Sequence, residues 1–476
     1  MTLSADTIAA HPAAHAWFFC GIGGSGMLPL ALILRGLGAS VAGSDRGRDQ
    51  GRTPEKFAWL ESLGLALHPQ NGSGIVSSDQ ILVASAAIED SVPEIVAARA
   101  LGCPRLSRAE VLAALFNRAE RSIAIAGTSG KSTVTGMVGW ILTEAGRDPT
   151  IMNGAVMKNF VAPDAPFASA RVGSGADFVA EVDESDGSIA LYRPTIGVLG
   201  NVSLDHKSLD ELRELFGNFC ATCGAVAINA DDDESMALAP RAARVLTFGL
   251  GPEAMIAADP GSIREGATGI AAQVIDRRSG AAHALALQVP GRHNLMNALA
   301  ALAAADLAGV PLPLAIAALG RFAGLARRFD IVGTSPGGIT VIDDFGHNPE
   351  KVAATLDTLR AHPGRVIALF QPHGYGPLRQ MGAELAEVLA TRLDPPDEVI
   401  LTDPVYFGGT VDRSVGSERI VALINAAGGD ARHIAARADA ADAIAAIARP
   451  GDRIVIMGAR DDTLSTFARD LLRRLG

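Results

Sequence analysis

Two rhythms of apolar residues alternate along the chain: short runs of four to six, and longer segments in which apolar positions recur every three or four residues. The short runs read as buried strands and the longer segments as helices packed on them, which is the pattern of a parallel α/β protein. Strands are expected at Ala16–Cys20, Ser40–Gly43 and Ile81–Ala84, with helices at Gly26–Leu37 and Ser91–Ala100. The pattern restarts near Ala119, where Ser122–Ala126 precedes a segment with Val134, Met137, Val138, Ile141 and Leu142 at helical spacing. Between Arg244 and Val289 the texture changes. Ala271–Ile275, a turn at Arg277–Gly280 and Ala284–Val289 read as a hairpin in a small antiparallel lobe. Strands at Ile339–Ile342, Val366–Phe370, Glu398–Leu401 and Arg453–Met457 form a third block. Boundaries are expected near residues 118 and 328.

The tract Ala298–Leu319 is long and apolar, but Asp306, Pro311 and Pro313 make it two buried helices joined by a turn rather than a membrane span. Composition agrees: 476 residues, 48% hydrophobic and 20% charged, suffice for about three domains. A net charge of -11 argues against broad nucleic-acid binding. Four cysteines make no disulfide framework and suit a reducing compartment. Cys220 and Cys223, a lone CxxC, read as packing. Met1–Ala16 lacks a basic stretch before an apolar core, so no signal peptide is expected.

Chemistry concentrates at strand ends. Gly21, Gly23 and Gly26 form a GxGxxG between a strand and a helix, with Asp45 nineteen residues beyond Gly26, which is the full dinucleotide fingerprint. Taken alone, this loop favours a nicotinamide dehydrogenase. A second loop, Gly127-Thr128-Ser129-Gly130-Lys131-Ser132, followed by Thr133, stands where a P-loop should be. Ile125 replaces the first glycine of the longer pattern, yet the amides, the Lys131 ammonium and the Ser132 hydroxyl retain phosphate and Mg2+ chemistry. Only five lysines occur in the chain, which makes one at this position notable. Glu181, Asp183, Glu184 and Asp186 follow one strand; if that strand persists, Glu181 and Asp183 share a face. Asn201, Asp205 and His206 follow another. Each acidic run alone reads more readily as a solvated strand end; behind a P-loop both become candidate metal sites. A site using His206 would also suit Mn2+.

These two loops, with Glu181-Val-Asp-Glu-Ser-Asp186, Gly291-Arg-His-Asn294, Arg327-Arg-Phe329, Asp343-Asp-Phe-Gly-His-Asn-Pro349 and Phe370-Gln-Pro-His373, resemble the Mur ligases over essentially the whole chain, and the alanine-adding members most. The resemblance implies three α/β domains: a Rossmann-like UDP-sugar domain (1–118), a central P-loop ATPase domain with a small β lobe (119–327) and a Rossmann-like amino-acid domain (328–476). It implies cytoplasmic, ATP-dependent ligation of UDP-N-acetylmuramate to L-alanine through an acyl phosphate, with two Mg2+ sites. The expected partners are small molecules, not nucleic acid or membrane, and the chain would act as a monomer or homodimer.

By motif, Gly21, Gly23, Gly24, Ser25, Gly26, Met27, Asp45 and Ser85 would hold the UDP-sugar. Gly127, Thr128, Ser129, Gly130, Lys131, Ser132 and Thr133 would hold ATP phosphates, with Ser132, Glu181 and His206 on metal. His293, Asn294 and Asn297 would recognise adenine, Arg327 and Arg328 the phosphates, and Asp344 and His347 would line the cleft. Four departures stand out: Ser129 for a usual histidine, Ser132 for threonine, Phe345 for tyrosine and Asn348 for histidine. A fifth bears on the amine. Gly374 and Pro377 occupy positions where two arginines hold the amino acid's carboxylate, leaving His373, Tyr375 and Arg379 as candidates there. A paralogous ligase accepting another amine, and a nucleotide-gated binding protein without ligase activity, are the alternative readings.

Overall fold

The computed structural model describes residues 4–85, 88–203, 207–406 and 412–476. The chain divides into two compact units. Among the described residues, the first contains a five-stranded sheet and nearly all of a larger central one. Strands Ala66–His68, Ser40–Ser44, Ala16–Cys20, Gln80–Ala84 and Arg105–Ser107 lie side by side in that order, all parallel. The two-residue period sorts their side chains: Trp17, Phe19, Ile81 and Val83 enter one core, while Phe18, Cys20, Leu82 and Ala84 enter the other.

The central sheet is built around Arg121–Ala126, flanked in parallel by Ile196–Leu199 and Asp177–Glu181. It continues through Ala225–Asn229, Val245–Gly249 and Ile256–Ala258. The expected hairpin forms from Gly269–Asp276 and Ala281–Leu287, but it extends this sheet instead of standing apart. Ile256–Ala258 is buried and pairs parallel with one neighbour and antiparallel with Val274–Asp276, so the ladder is unbroken. The apolar tract becomes helices Arg292–Leu307 and Leu312–Leu319. Among the described residues, no helix is long and apolar enough to cross a membrane. The first two sheets share one core, in which the Phe116 ring lies 5.6 Å from Phe178 and 5.3 Å from Tyr192. Cys220 and Cys223 are buried, free thiols; burial pushes Cys220 up to about 12, so packing is their role.

The second unit carries a six-stranded sheet in the order Asp330–Thr334, Thr340–Asp344, Arg453–Gly458, Val366–Gln371, Glu398–Leu401 and Ala431–His433. Only its first pair is antiparallel. Alternation again divides the cores: Ala368, Phe370, Val455 and Met457 face one helical layer, and Ile367, Leu369, Ile454 and Ile456 the other.

Candidate active site

Parallel pairing places both glycine-rich loops at strand carboxyl ends, the edge at which a doubly wound sheet binds its ligands. In the first loop, Gly24 and Ser25 are exposed ahead of helix Met27–Gly36. The Gly23 N–H donates to Asp45 Oδ2 at 2.8 Å and the Gly47 N–H to Asp45 Oδ1 at 2.7 Å. Asp45 thus uses both oxygens to shape the loop, whereas the dinucleotide fingerprint would direct them to a ribose. Lys56, which sequence reasoning passed over, donates to the Gly23 carbonyl at 3.1 Å. Ser85 is exposed just beyond Gln80–Ala84; because Phe19 pairs with Val83, it emerges at the same sheet edge as Gly21.

The P-loop joins Arg121–Ala126 to helix Lys131–Glu144. Gly130 caps that helix at φ +85°, and a Cβ there would collide with Asn297 Oδ1. Lys131 Nζ donates to the Gly127 carbonyl at 2.7 Å and pairs with Glu184 Oε2 at 2.8 Å. Ser132 Oγ donates to Glu181 Oε2 at 2.7 Å. The registers Ala126 with Leu199 and Ile125 with Glu181 bring these groups together. The strand ends at Glu181, so Asp183 does not share its face by strand period; it lies in the following loop and accepts from the Ser185 N–H at 2.9 Å. Burial raises the Asp183 pKa, but the Ser185 amide and Lys131 outweigh it and hold the carboxyl below its ordinary value. Burial dominates at Glu184 and raises it, against the pull of Lys131.

Asn201, expected at a metal-bearing strand end, braces the P-loop instead. Its Oδ1 accepts from the Ser129 N–H at 2.9 Å and its carbonyl from the Thr128 N–H at 3.1 Å. Asp205 and His206 lie outside the described residues. Thr133 is half-buried on the first helical turn. Asn294 is buried and accepts from Asn297 Nδ2 at 3.3 Å, so these two meet beside the P-loop while His293 is exposed.

In the second unit, Asp344 is buried and accepts three hydrogen bonds: from Phe329 N–H at 2.7 Å, Gly346 N–H at 2.8 Å and Thr355 Oγ1 at 2.9 Å. It organises its own chain rather than presenting an open carboxylate. Arg327 Nη2 donates to the Gly458 carbonyl at 2.7 Å, and the Arg327 and Arg328 guanidinium carbons lie 5.0 and 4.7 Å from the Phe345 ring centre. A phenyl ring at 345 therefore suffices to seat both cations. His347 Nδ1 lies 2.8 Å from the Phe345 carbonyl, and a carbonyl only accepts, so Nδ1 carries the proton. Burial foremost, then Lys351, pushes this imidazole down to about 3, leaving Nε2 a neutral acceptor.

His347 and His373, 5.0 Å apart, line a pocket with Phe370, Pro377, Met381 and Leu385. Tyr375 opens the adjoining helix Tyr375–Arg392. Arg379 does not line that pocket: it is exposed and pairs with Asp412 Oδ2 at 2.8 Å. Helical periodicity separates it from Pro377 and Met381, which face inward.

Three family models cover most of the chain: the Mur ligase family catalytic domain at residues 18–120, the Mur ligase middle domain at 125–305 and the Mur ligase glutamate ligase domain at 327–460. The chain belongs to the Mur ligase family. It is similar to UDP-N-acetylmuramate–L-alanine ligases of Sorangium cellulosum (38% identity, 96% of each chain) and Nitratidesulfovibrio vulgaris (35%, 92% of this chain and 94% of the relative). Among solved structures it is similar to the UDP-N-acetylmuramate-alanine ligase of Thermotoga maritima (TM-score 0.80, 26% identity, 96% and 98% coverage). A murein peptide ligase of Psychrobacter arcticus also matches (TM-score 0.71, 25%, 97% and 99%). Mur ligase membership sets aside the dehydrogenase reading of the first loop.

Proposed function

We propose that the protein joins the carboxylate of UDP-N-acetylmuramate to the amine of L-alanine at the expense of ATP, a step in making peptidoglycan precursors. The observation that carries this reading is the P-loop cluster of Lys131, Ser132, Glu181 and Glu184, in a chain 38% identical over 96% of its length to a ligase of that name. Residues 1–118 take the UDP-sugar, 119–327 ATP and 328–476 the amine. A carboxylate oxygen bonds to the γ-phosphorus as ADP leaves; the amine nitrogen then bonds to the acyl carbon, phosphate departs and the amine loses a proton. Activation is required because a free carboxylate has no adequate leaving group.

Lys131 exchanges its Glu184 partner for nucleotide phosphates, Asn294 and Asn297 read the base, and Arg327 and Arg328 contribute charge toward the phosphates. The Ser132 hydroxyl and Glu181 carboxylate are hard oxygen donors already 2.7 Å apart, a set that fits Mg2+. When bound, the cation neutralises phosphoryl charge; a second such ion would involve His206. The neutral Nε2 of His347 accepts a hydrogen bond from the incoming amine.

A second reading, a ligase of the same chemistry that accepts another amine, is favoured by one observation: the pocket beside His347 and His373 has no lysine or arginine among its described lining residues. The test of both readings is amide formation and phosphate release with UDP-N-acetylmuramate, Mg-ATP and a panel containing L-alanine, glycine, L-serine and L-alanine amide. L-Alanine as best substrate supports the first reading, and a preference elsewhere supports the second. Nucleotide-sugar binding without turnover on any amine would leave a binding protein.

A further inference from the structure

Arg108 belongs to neither glycine-rich loop, yet it stands beside the first of them. It is the first residue of helix Arg108–Phe116, whose start is fixed by a reciprocal capping box between Ser107 and Glu110. Its side chain crosses to Gly26, where a Cβ would come within 2.9 Å of Arg108 Cδ and 3.2 Å of Nε. Only glycine lets the arginine stem lie this close to the loop. The side chain is half-buried, at 23% exposed. Its ion partner is Asp186, at a long 3.9 Å, and among the described residues it donates no hydrogen bond. Its five N–H donors have no hydrogen-bonded protein partner among the described residues, so an anion at the loop can take them without breaking a bond within the protein.

We propose that Arg108 is a binding residue for the diphosphate of the nucleotide sugar, closing over the anion beside the Ser25 and Gly26 amides; the other amides of Gly21–Met27 already donate within the protein. This rests on the UDP-sugar reading of the first loop. A guanidinium fork matches phosphate oxygens bidentately, so the contact acts on the diphosphate and not on the base. Asp186 faces the guanidinium at 3.9 Å, in the same acidic segment whose Glu181 and Glu184 touch the P-loop.

The test is titration calorimetry of the full-length protein with UDP-N-acetylmuramate, UDP and uridine. Arg108→Met keeps the stem that packs on Gly26 while removing the charge. It should weaken the two diphosphate ligands about 10- to 100-fold and leave uridine unchanged, with Arg108→Lys intermediate. Gly26→Ala, which pushes the stem away, should weaken the same two ligands. The wild-type affinity for UDP should fall more steeply with added salt than that of Arg108→Met. Unchanged diphosphate affinity in folded Arg108→Met, beside tight wild-type binding, overturns the role of Arg108 alone. Wild-type protein that binds neither UDP compound overturns the reading of the loop and this proposal together.

Discussion

Asp344→Asn isolates one hydrogen bond at the turn that carries the paired arginines. Arg327 and Phe329 both adopt left-handed backbone, at φ +61° and +47°, a conformation non-glycine residues hold only when surrounding contacts compel it. Asp344 Oδ2 supplies such a contact by accepting from the Phe329 N–H, while Oδ1 serves Gly346 and Thr355. Asparagine has a single acceptor oxygen. Placed at the Oδ1 position it retains two donors, and its NH2 then faces the Phe329 N–H, donor against donor. Losing a buried hydrogen bond to a charged acceptor costs about 2 kcal/mol, or roughly 30-fold in the local opening equilibrium. Amide hydrogen exchange should therefore show Phe329 losing protection by about that factor while Gly346 changes little. Equal losses at Phe329 and Gly346, or no loss at Phe329, would refute the reasoning, since either result would mean that Oδ2 does not hold the turn.

Lys131→Ala should abolish phosphate release while leaving UDP-N-acetylmuramate binding within about twofold, because the two loops occupy different sheets; a cationic contact to a transferring group is worth several kcal/mol, on the order of 3. Gly130→Ala, at φ +85° and against Asn297, should cost about 1–2 kcal/mol locally and weaken ATP binding by calorimetry about tenfold or more. His347 sits near 3 in the fold against an ordinary 6.5, so the unfolded chain binds its proton first as pH falls. Its contribution to stability is intact above pH 6.5 and declines from there down to about 3, by roughly 2 kcal/mol at pH 5. His347→Gln should accordingly flatten the acid limb of melting temperature against pH. Arg379→Ala, which removes an exposed pair with Asp412, should leave the KM for the amine within about twofold; a steep rise would return Arg379 to the pocket.

Much of the architecture was legible because its causes are local. Alternating burial in Phe18 and Phe19, or in Ile367 and Ala368, is written in a two-residue period. The glycine positions of both loops follow from where the backbone must turn at a strand end. The hairpin at Gly269–Leu287 was legible as a hairpin, but its place on the central sheet was not: that depends on Ile256–Ala258 pairing with strands on both sides.

The residues that complete the site were hidden for the same reason. The chain by itself determined the order of strands and helices, the two phosphate-binding loops and the chemical types available at each strand end. Tertiary structure alone decided that Lys131 meets Glu184, that Asn201 braces the P-loop instead of offering a metal ligand, and that Arg108 lies over Gly26. It also turned Arg379 out to Asp412 and drew Asp344 into the turn at Phe329. Each of these pairs is separated by between 15 and 82 residues, and what brings them together is parallel strand register and the rotamers that packing allows. Propensity and periodicity act over one or two turns of chain, whereas a side chain's partner is set by which strand ends share an edge of the sheet.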